Sequence, residues 1–144
     1  MIPISADRLI RIAIALSSEK DISVLLDRIL TEAMDITRCD AGTVYIREED
    51  HLNFHTMITR SKQVHMIRRD SVDFLPPVPL SRAHVCACTA LDHALINIPD
   101  VYRSETYDFS GARRYDALNG YHTQSMRWWY PWRMKRAAIS ACCS

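Results

Sequence analysis

Apolar residues recur at helical spacing over the first part of the chain. A broad apolar face over Ala6–Leu16 predicts a helix that the polar segment Ser17–Lys20 would end. Asp21 is a favourable N-cap, because its carboxylate can accept hydrogen bonds from the first backbone N–H groups of a following helix. From Ile22 to Met34 the apolar positions recur every three or four residues, with charged residues on the opposite face. We therefore predict two consecutive amphipathic helices.

After residue 40 the apolar period shortens to two, which is typical of β-strands. Gly42–Arg47 predicts a first strand and Glu48–Asp50 a turn. The alternation of Leu52, Phe54 and Thr56 with polar residues predicts a second strand, so the two strands should form a hairpin.

Shorter elements follow this hairpin. Residues 59–73 predict a loop or an edge strand, and the prolines of Pro76–Pro79 predict a stiff extended connector. The later segments predict, in order, a helix over about His84–Asp92 capped by Ser81, a strand over Leu95–Ile98, a loop over 100–111, a helix over Ala112–Leu118 closed by Asn119-Gly120, and a strand that begins at Thr123.

This order of elements predicts an α+β fold. An antiparallel sheet would carry the long N-terminal helices on one face and the short helices and loops on the other. A ligand pocket would lie between the sheet and the loop-rich face.

Composition adds limits on function. The chain has 144 residues, 48% of them apolar and 24% charged, as expected for one soluble domain that needs no metal or disulfide to fold. No apolar run is long enough to span a bilayer, and the N-terminus does not resemble a signal peptide. We therefore expect a cytoplasmic protein without a membrane partner. The five cysteines show no framework spacing, so we expect thiols rather than disulfides.

Motifs for chemistry are weak in this chain. Cys86 and Cys88 lie near His84 and His93, but their spacing is not that of a zinc site, and buried cysteine is common. The sequence contains no glycine-rich phosphate loop and no nucleophile elbow, and its basic cluster is too modest to indicate a nucleic-acid partner. We predict no enzyme activity, no metal and no required cofactor.

Three stretches resemble GAF domains of bacterial signalling proteins such as sensor kinases and cyclic-dinucleotide phosphodiesterases. Residues 25–46 are similar to the opening helix, acidic turn and first strand of the family. Residues 95–102 resemble its mid-domain strand with an Ile-Pro-Asp turn. Residues 113–126 resemble the helix that ends in Gly-aromatic-x-Thr-x-Ser-Met before a central strand.

The resemblance implies a regulatory domain that senses a small molecule, does no catalysis and acts on an effector domain missing from this chain. The alternative is a ligand-free structural module that dimerises through its N-terminal helices. A homodimer is expected, and the apolar face of residues 8–16 fits either a dimer helix or packing in the core equally well. A sulfoxide reductase of this fold would need reactive cysteines, for which only Cys86 and Cys88 are candidates. The ligand-binding residues that the resemblance implies are Tyr45, Val85, Thr89, Asp100, Tyr102, Phe109, Tyr115, Asp116 and Thr123.

One signature of the family is incomplete. Members that bind cyclic nucleotides carry an Asn-Lys…Phe…Asp-Glu signature. Tyr115 and Asp116 could stand for the Phe and the Asp, but Ala117 replaces the Glu and no matching Asn-Lys pair lies upstream. The resemblance therefore does not imply cyclic AMP or cyclic GMP as the ligand.

Residues 127–144 depart from the family pattern. They contain all three tryptophans and basic residues but no acidic residue. GAF domains continue after Ser-Met with Leu-Val-Val-Pro, a hairpin and a strand like Ile-Gly-Val-Leu-Gln. The codons that could encode this tail, read from the third base of the Arg127 codon, permit that same hairpin, and the remaining frame contains an obligatory stop at Met134-Lys135. We therefore predict a sensory domain over 1–126 and an out-of-frame tail over 127–144, caused by a base insertion or deletion.

The predicted frameshift has a structural consequence. The final strands of the domain would be lost or replaced, which would leave unpaired ladder groups in the sheet and an edge prone to self-association. The alternative is that the tail is native, in which case its basic and aromatic residues would contact a partner or a membrane.

Overall fold

The computed structural model describes residues 4–68, 75–129 and 137–143. Helix α1 spans Ala6–Ser18 and helix α2 spans Ile22–Thr37, which confirms both predicted N-terminal helices. Asp21 caps α2 as expected, because its carboxylate accepts a hydrogen bond from the Ser23 backbone N–H at 2.8 Å. The helix ends where Arg38 takes a left-handed conformation with a φ of 55°.

A single antiparallel sheet forms the centre of the fold. In sheet order its strands are β3, β2, β1, β7, β6 and β5, and a short strand β4 pairs with β2 beside this path. The strands are β1 (Ala41–Glu48), β2 (His51–Thr59), β3 (Val64–Ile67), β4 (Val78–Pro79), β5 (Ile96–Ile98), β6 (Ser125–Trp129) and β7 (Ala137–Cys143), and the two later helices are α3 (Val85–Asp92) and α4 (Ser110–Asn119).

Several predicted elements are confirmed, with shifted boundaries. The β1–β2 hairpin is present, and the weakly periodic segment after it contains the edge strand β3; residues 69–73 of that segment lie outside the described residues. Helix α4 begins at Ser110, two residues earlier than predicted, because the Asp108 carboxylate accepts a hydrogen bond from the Ser110 N–H at 2.9 Å.

The prediction that Ser81 caps α3 is wrong. The N-cap residue is His84, which makes no capping hydrogen bond through its side chain. The Ser81 hydroxyl instead accepts a hydrogen bond from the Ala83 N–H at 3.3 Å, and the His84 N–H bonds the Ser81 carbonyl at 3.1 Å. Ser81 therefore stabilises the turn between β4 and α3 rather than the helix itself.

The sheet centre is occupied, contrary to the predicted gap. Strand β7 pairs antiparallel with β1 on one side and with β6 on the other. Strand β6 crosses residues 126 and 127 without interruption, and residues 130–136 and 144 of the tail lie outside the described residues. The described part of the tail therefore contributes the end of β6 and all of β7 to the sheet.

Helix α2 covers one face of the sheet. Its buried residues Leu26, Leu30 and Met34 pack with Val44 of β1 and Ile58 of β2. The close approach depends on Gly42, because a Cβ atom at that position would lie 2.7 Å from Leu30 Cδ1 and 2.9 Å from Met34 Sδ.

The opposite face carries a second core and the loop-rich layer. Its buried cluster includes Tyr45 and Leu52 from the sheet, Val85 and Cys86 from α3, and Val101, Phe109 and Met126 from later segments. The expected arrangement, with long N-terminal helices on one face and short helices and loops on the other, is therefore confirmed.

Candidate functional site

A cavity of about 600 Å³ lies between the sheet and its loop-rich face. The hairpin β1–β2 forms its base, the start of α3 and the length of α4 form its sides, and the segment Leu75–Pro79 borders it as well. The space is within the range that small-molecule sites occupy, and apolar side chains form most of its walls.

A β-bulge decides which strand residues face the cavity. The β1–β2 register shifts between Val44 and Tyr45, so that Val44 opposes Thr56 and Tyr45 opposes Phe54. The rings of Tyr45 and Phe54 consequently meet, with their centroids 4.5 Å apart. Simple alternation along β2 predicts that Leu52, Phe54 and Thr56 share one face of the sheet. The bulge changes this, because Thr56 lies opposite Val44, whose side chain packs on the face that α2 covers.

Helix α4 presents one stripe of residues to the cavity. Gly111, Arg114, Tyr115 and Leu118 recur at helical spacing, and all of them line the space. A Cβ atom added to Gly111 would meet nothing within 4 Å, so the cavity is open at this position. The Tyr115 hydroxyl lies 3.4 Å from Thr59 Oγ1, which places a pair of neutral polar groups in the wall.

Among the described residues, one acidic side chain, Asp108, and two basic side chains, Arg114 and His84, border the cavity. Asp108 is already bound to the start of α4, and hydrogen bonds from the side chain and backbone of Ser110 lower the pKa of its carboxyl. In the part of the chain that the structure describes, the Arg114 guanidinium makes no ion pair.

A buried carboxylate holds α4 in position. Asp116 is only 3% exposed and accepts three hydrogen bonds, from the Tyr102 hydroxyl at 2.7 Å and from the N–H and hydroxyl of Thr123 at 2.8 Å each. The Tyr102 ring in turn stacks on His122 with centroids 4.6 Å apart. Asp116 therefore ties the helix to the segments on either side of it without itself reaching the cavity.

The structure brings five of the predicted ligand residues together around the cavity and leaves four outside it. Asp116 and Tyr102 lie behind the wall, bonded to each other. Thr89 is buried inside α3, where its hydroxyl donates to the Val85 carbonyl at 3.1 Å. Asp100 stabilises a turn by accepting from the Tyr102 N–H at 2.9 Å. The predicted residues that line the cavity are Tyr45, Val85, Phe109, Tyr115 and Thr123.

Sequence reasoning missed several cavity residues, among them Phe54, Met57, Arg114 and Leu118. Phe54 carried a signal, because its alternation predicted a buried strand position. The helical spacing of Arg114 and Leu118 with Tyr115 was also visible, but an arginine and a leucine beside polar residues look like a solvated surface.

Cys86 and Cys88, the two cysteines that bear on a possible enzyme activity, are both buried. Burial raises the pKa of the Cys86 thiol to about 12, so this cavity residue is protonated at neutral pH. The Cys88 thiol is buried and donates to the Arg82 carbonyl at 3.3 Å. Among residues 4–68, 75–129 and 137–143, no group of three or more His, Cys, Asp or Glu side chains is placed to hold a metal ion.

Helix length also bears on membrane insertion. None of the helices within the described residues is both long and apolar enough to cross a bilayer.

Known structures share this architecture. The GAF domain of an Acinetobacter phosphoenolpyruvate-protein phosphotransferase matches with a TM-score of 0.67 at 14% identity, over 99% of this chain and 78% of that one. The GAF domain of A. aeolicus nlh2, in an inactive state, matches with a TM-score of 0.63 at 11% identity, over 93% of this chain and 75% of that one. Free methionine-R-sulfoxide reductase from Neisseria meningitidis, in complex with its substrate, matches with a TM-score of 0.61 at 12% identity, over 94% of this chain and 70% of that one.

Sequence comparisons give no such match. No protein-family model fits the chain, and no curated protein sequence matches it. At these identities the structural likeness establishes the fold: the chain has the α+β architecture of a GAF domain, which regulatory domains of signalling proteins share with some methionine-sulfoxide reductases.

Proposed function

We propose that this domain is the small-molecule sensor of a signalling protein and does no catalysis of its own. The observation that carries the proposal is the largely apolar cavity of about 600 Å³ against the sheet, whose lining includes the exposed residues Gly111, Arg114 and Leu118. A concave and largely apolar space of this size that opens to water supports a ligand site more than a purely structural module. Apolar walls with few polar groups are also what a ligand site usually offers.

The fold provides a route from the cavity to the helices. Ala41, Thr43 and Tyr45 of β1 line the cavity, whereas Gly42 and Val44 between them contact α2 on the other face. Leu30 and Met34 pack so closely on Gly42 that no space remains even for a Cβ atom. A shift of β1 on ligand binding would therefore displace α2. The helices would then pass the change to an effector domain in a longer protein.

The cavity chemistry favours binding over catalysis. Among the described residues, the thiol that lines the cavity is that of Cys86, which has a pKa of about 12 and is a poor nucleophile. Some proteins of this fold reduce methionine sulfoxide, and a reactive thiolate would be needed here for similar chemistry.

A blocked cavity provides the test. We would titrate the protein with the neutral fluorescent probe phenylnaphthylamine and compare it with Gly111→Trp, whose indole would enter the open space beside α4. Gly111→Ala is the matched control, since its methyl group meets nothing. We expect saturable binding to the protein and to Gly111→Ala and a loss of at least tenfold in Gly111→Trp. Equal binding by all three proteins would contradict a binding site in this cavity.

A second role, homodimerisation, is favoured by helix α1. None of its residues is buried, and Leu9, Ile10 and Ile14 are 49%, 59% and 62% exposed. Monomeric proteins seldom leave a contiguous apolar surface of this kind in water. We propose that a second copy of the chain covers it, in addition to the sensing role.

A further inference from the structure

We propose that the ligand of this cavity is a small anion with an apolar or aromatic body, whose acidic group is bound by Arg114. This inference rests on the proposed sensing function and adds the chemical class of the ligand. It follows from how charge and apolar surface are distributed around the cavity.

Arg114 is the charge that the fold leaves uncompensated at this site. It lines the cavity from α4 and makes no ion pair with any residue in the described ranges. Its neighbour Arg113, by contrast, lies over the Tyr102 ring, with its guanidinium carbon 5.6 Å from the ring centroid. A guanidinium that borders a ligand cavity without a partner matches a carboxylate, sulfonate or phosphate group.

The nearby acid makes no ion pair with Arg114 in the part of the chain that the structure describes. Asp108 also borders the cavity, but its carboxylate binds the Ser110 backbone N–H at the start of α4. That bond stabilises the helix terminus and occupies the position that an anion would otherwise take there. The anionic group of a ligand is therefore expected at Arg114, one turn further along the helix.

The rest of the cavity suits an apolar body. The Tyr45–Phe54 ring pair lies at the sheet, and Val78, Phe109 and Met126 complete the apolar lining. Arg114 is exposed, so an acid bound to it would stay near water while the body of the ligand enters the interior. This orientation avoids the large cost of burying an ionised group. The hydroxyls of Tyr115 and Thr59 can orient a neutral polar group between the two ends.

Two probes that differ by one charged group test the inference. Anilinonaphthalene sulfonate carries an acidic group on the same aromatic body that phenylnaphthylamine presents without charge. We would measure the affinity of both for the protein, for Arg114→Gln and for the matched control Arg113→Gln. We expect Arg114→Gln to weaken binding of the sulfonate about tenfold and to leave the neutral probe within about twofold, as removal of one charge-assisted hydrogen bond predicts. Arg113→Gln should change neither affinity.

The outcomes separate this inference from the proposed function. If Arg114→Gln affects both probes equally, or neither, the anion preference is wrong while binding in the cavity stands. If the neutral probe shows no saturable binding, or binds Gly111→Trp as well as the unaltered protein, both proposals fail. Circular dichroism of Arg114→Gln should match the unaltered protein, because Arg114 has no ion pair to lose in the described fold.

Discussion

Gly42 and Gly111 differ in what an added methyl group would meet. At Gly42 the methyl would lie 2.7 Å from Leu30 Cδ1, whereas at Gly111 it would meet nothing within 4 Å. We expect Gly42→Ala to lower the free energy of unfolding by about 1–3 kcal/mol through overpacking. Gly111→Ala should raise it by about 0.5–1 kcal/mol, because alanine loses less backbone entropy in a helix. Urea denaturation measures both.

Truncation of Leu30 checks the cause at Gly42. In a Leu30→Ala background the contact with Leu30 is removed and the contact with Met34 Sδ at 2.9 Å remains, so Gly42→Ala should cost less than it does alone. Equal costs in the two backgrounds would show that the contact with Leu30 is not what limits this position.

Asp40 and Ser61 give the pH prediction. Burial alone raises the pKa of Asp40. Hydrogen bonds from the Ser61 hydroxyl at 2.6 Å and from its N–H at 2.9 Å, together with a hydrogen bond from Tyr121 and the charge of Arg60, outweigh burial and hold that pKa below its usual value. A lowered pKa in the folded state adds stability above the unfolded value of about 3.9, and this stability is lost as the pH falls through the folded value.

We expect Ser61→Ala to raise the pKa of Asp40 and to reduce the part of the stability that disappears in acid. Carboxyl chemical shifts followed by NMR through the acid range report the pKa directly. Ser17→Ala serves as the control, because the Ser17 hydroxyl bonds only carbonyls within α1. An unchanged Asp40 titration in Ser61→Ala would rule out Ser61 as the cause of the shift.

Some individual cavity residues could be predicted from the sequence and others could not. Tyr45 and Phe109 were predicted from the family resemblance, and the fold places both in the wall. Arg114 was missed because neither apolar spacing nor a motif separates a cavity arginine from a solvated one. Asp116 was expected in the site and lies one layer behind it, since the sequence does not reveal that Thr123 and Tyr102 compete for its carboxylate.

Helix α4 depends on that carboxylate. Asp116→Ala would leave the Thr123 backbone N–H without its acceptor in a buried setting, and an unsatisfied buried group costs about 1–3 kcal/mol. We expect a loss of about 2–4 kcal/mol in the free energy of unfolding, measured by urea denaturation. Tyr102→Phe removes only one of the three bonds, so it should cost about 1 kcal/mol.

Equal, small losses in the two variants would contradict the role of Asp116 as an anchor. Protection of the α4 amides from hydrogen exchange gives an independent measure, because a loosened helix would exchange faster in Asp116→Ala than in Tyr102→Phe.

Elements with a strong local signal were the ones that sequence reasoning predicted well. The apolar period of α2 and the carboxylate of Asp21 are both local. They gave the correct first residue of the helix, which continues three residues beyond Met34, the last apolar position of the pattern. Strand β4 and the β1–β2 bulge have no signal in their own residues, because both depend on how those residues pair with another strand. Ser81 had the right chemistry for a cap, but it lies three residues before the N-cap residue His84, and its hydroxyl accepts a hydrogen bond within the turn after β4.

For the whole molecule, the exposed face of α1 predicts self-association. Lysine at positions 10 and 14 would place charge in the middle of the apolar surface that we assign to a second copy. We expect sedimentation velocity to show a dimer for the unaltered protein and a monomer for Ile10→Lys/Ile14→Lys. A matched variant with lysine at Ser17 and Ser18 should remain dimeric. A monomer for the unaltered protein would contradict the proposal.

The origin of residues 127–144 in a shifted reading frame stays a prediction. The nucleotide sequence of the gene across the codons for residues 120–144 tests it. We expect a neighbouring frame to encode Leu-Val-Val-Pro and the hairpin that follows. A gene that encodes the tryptophan-rich tail in frame, with no such hairpin in another frame, would make the tail a native part of the sheet.

The position of β7 also determines the order in which the strands of the sheet can pair during folding. Its residues pair with β1 partners that lie about a hundred positions away, as Ala41 does with Cys142. Contacts this distant are slow to form, because the entropy of closing the loop is lost before they contribute. The β1–β2 hairpin can form early from neighbouring residues, whereas the centre of the sheet must wait until β7 has left the ribosome. Until then the open edge of β1 is a surface for chaperones and for other unfinished chains.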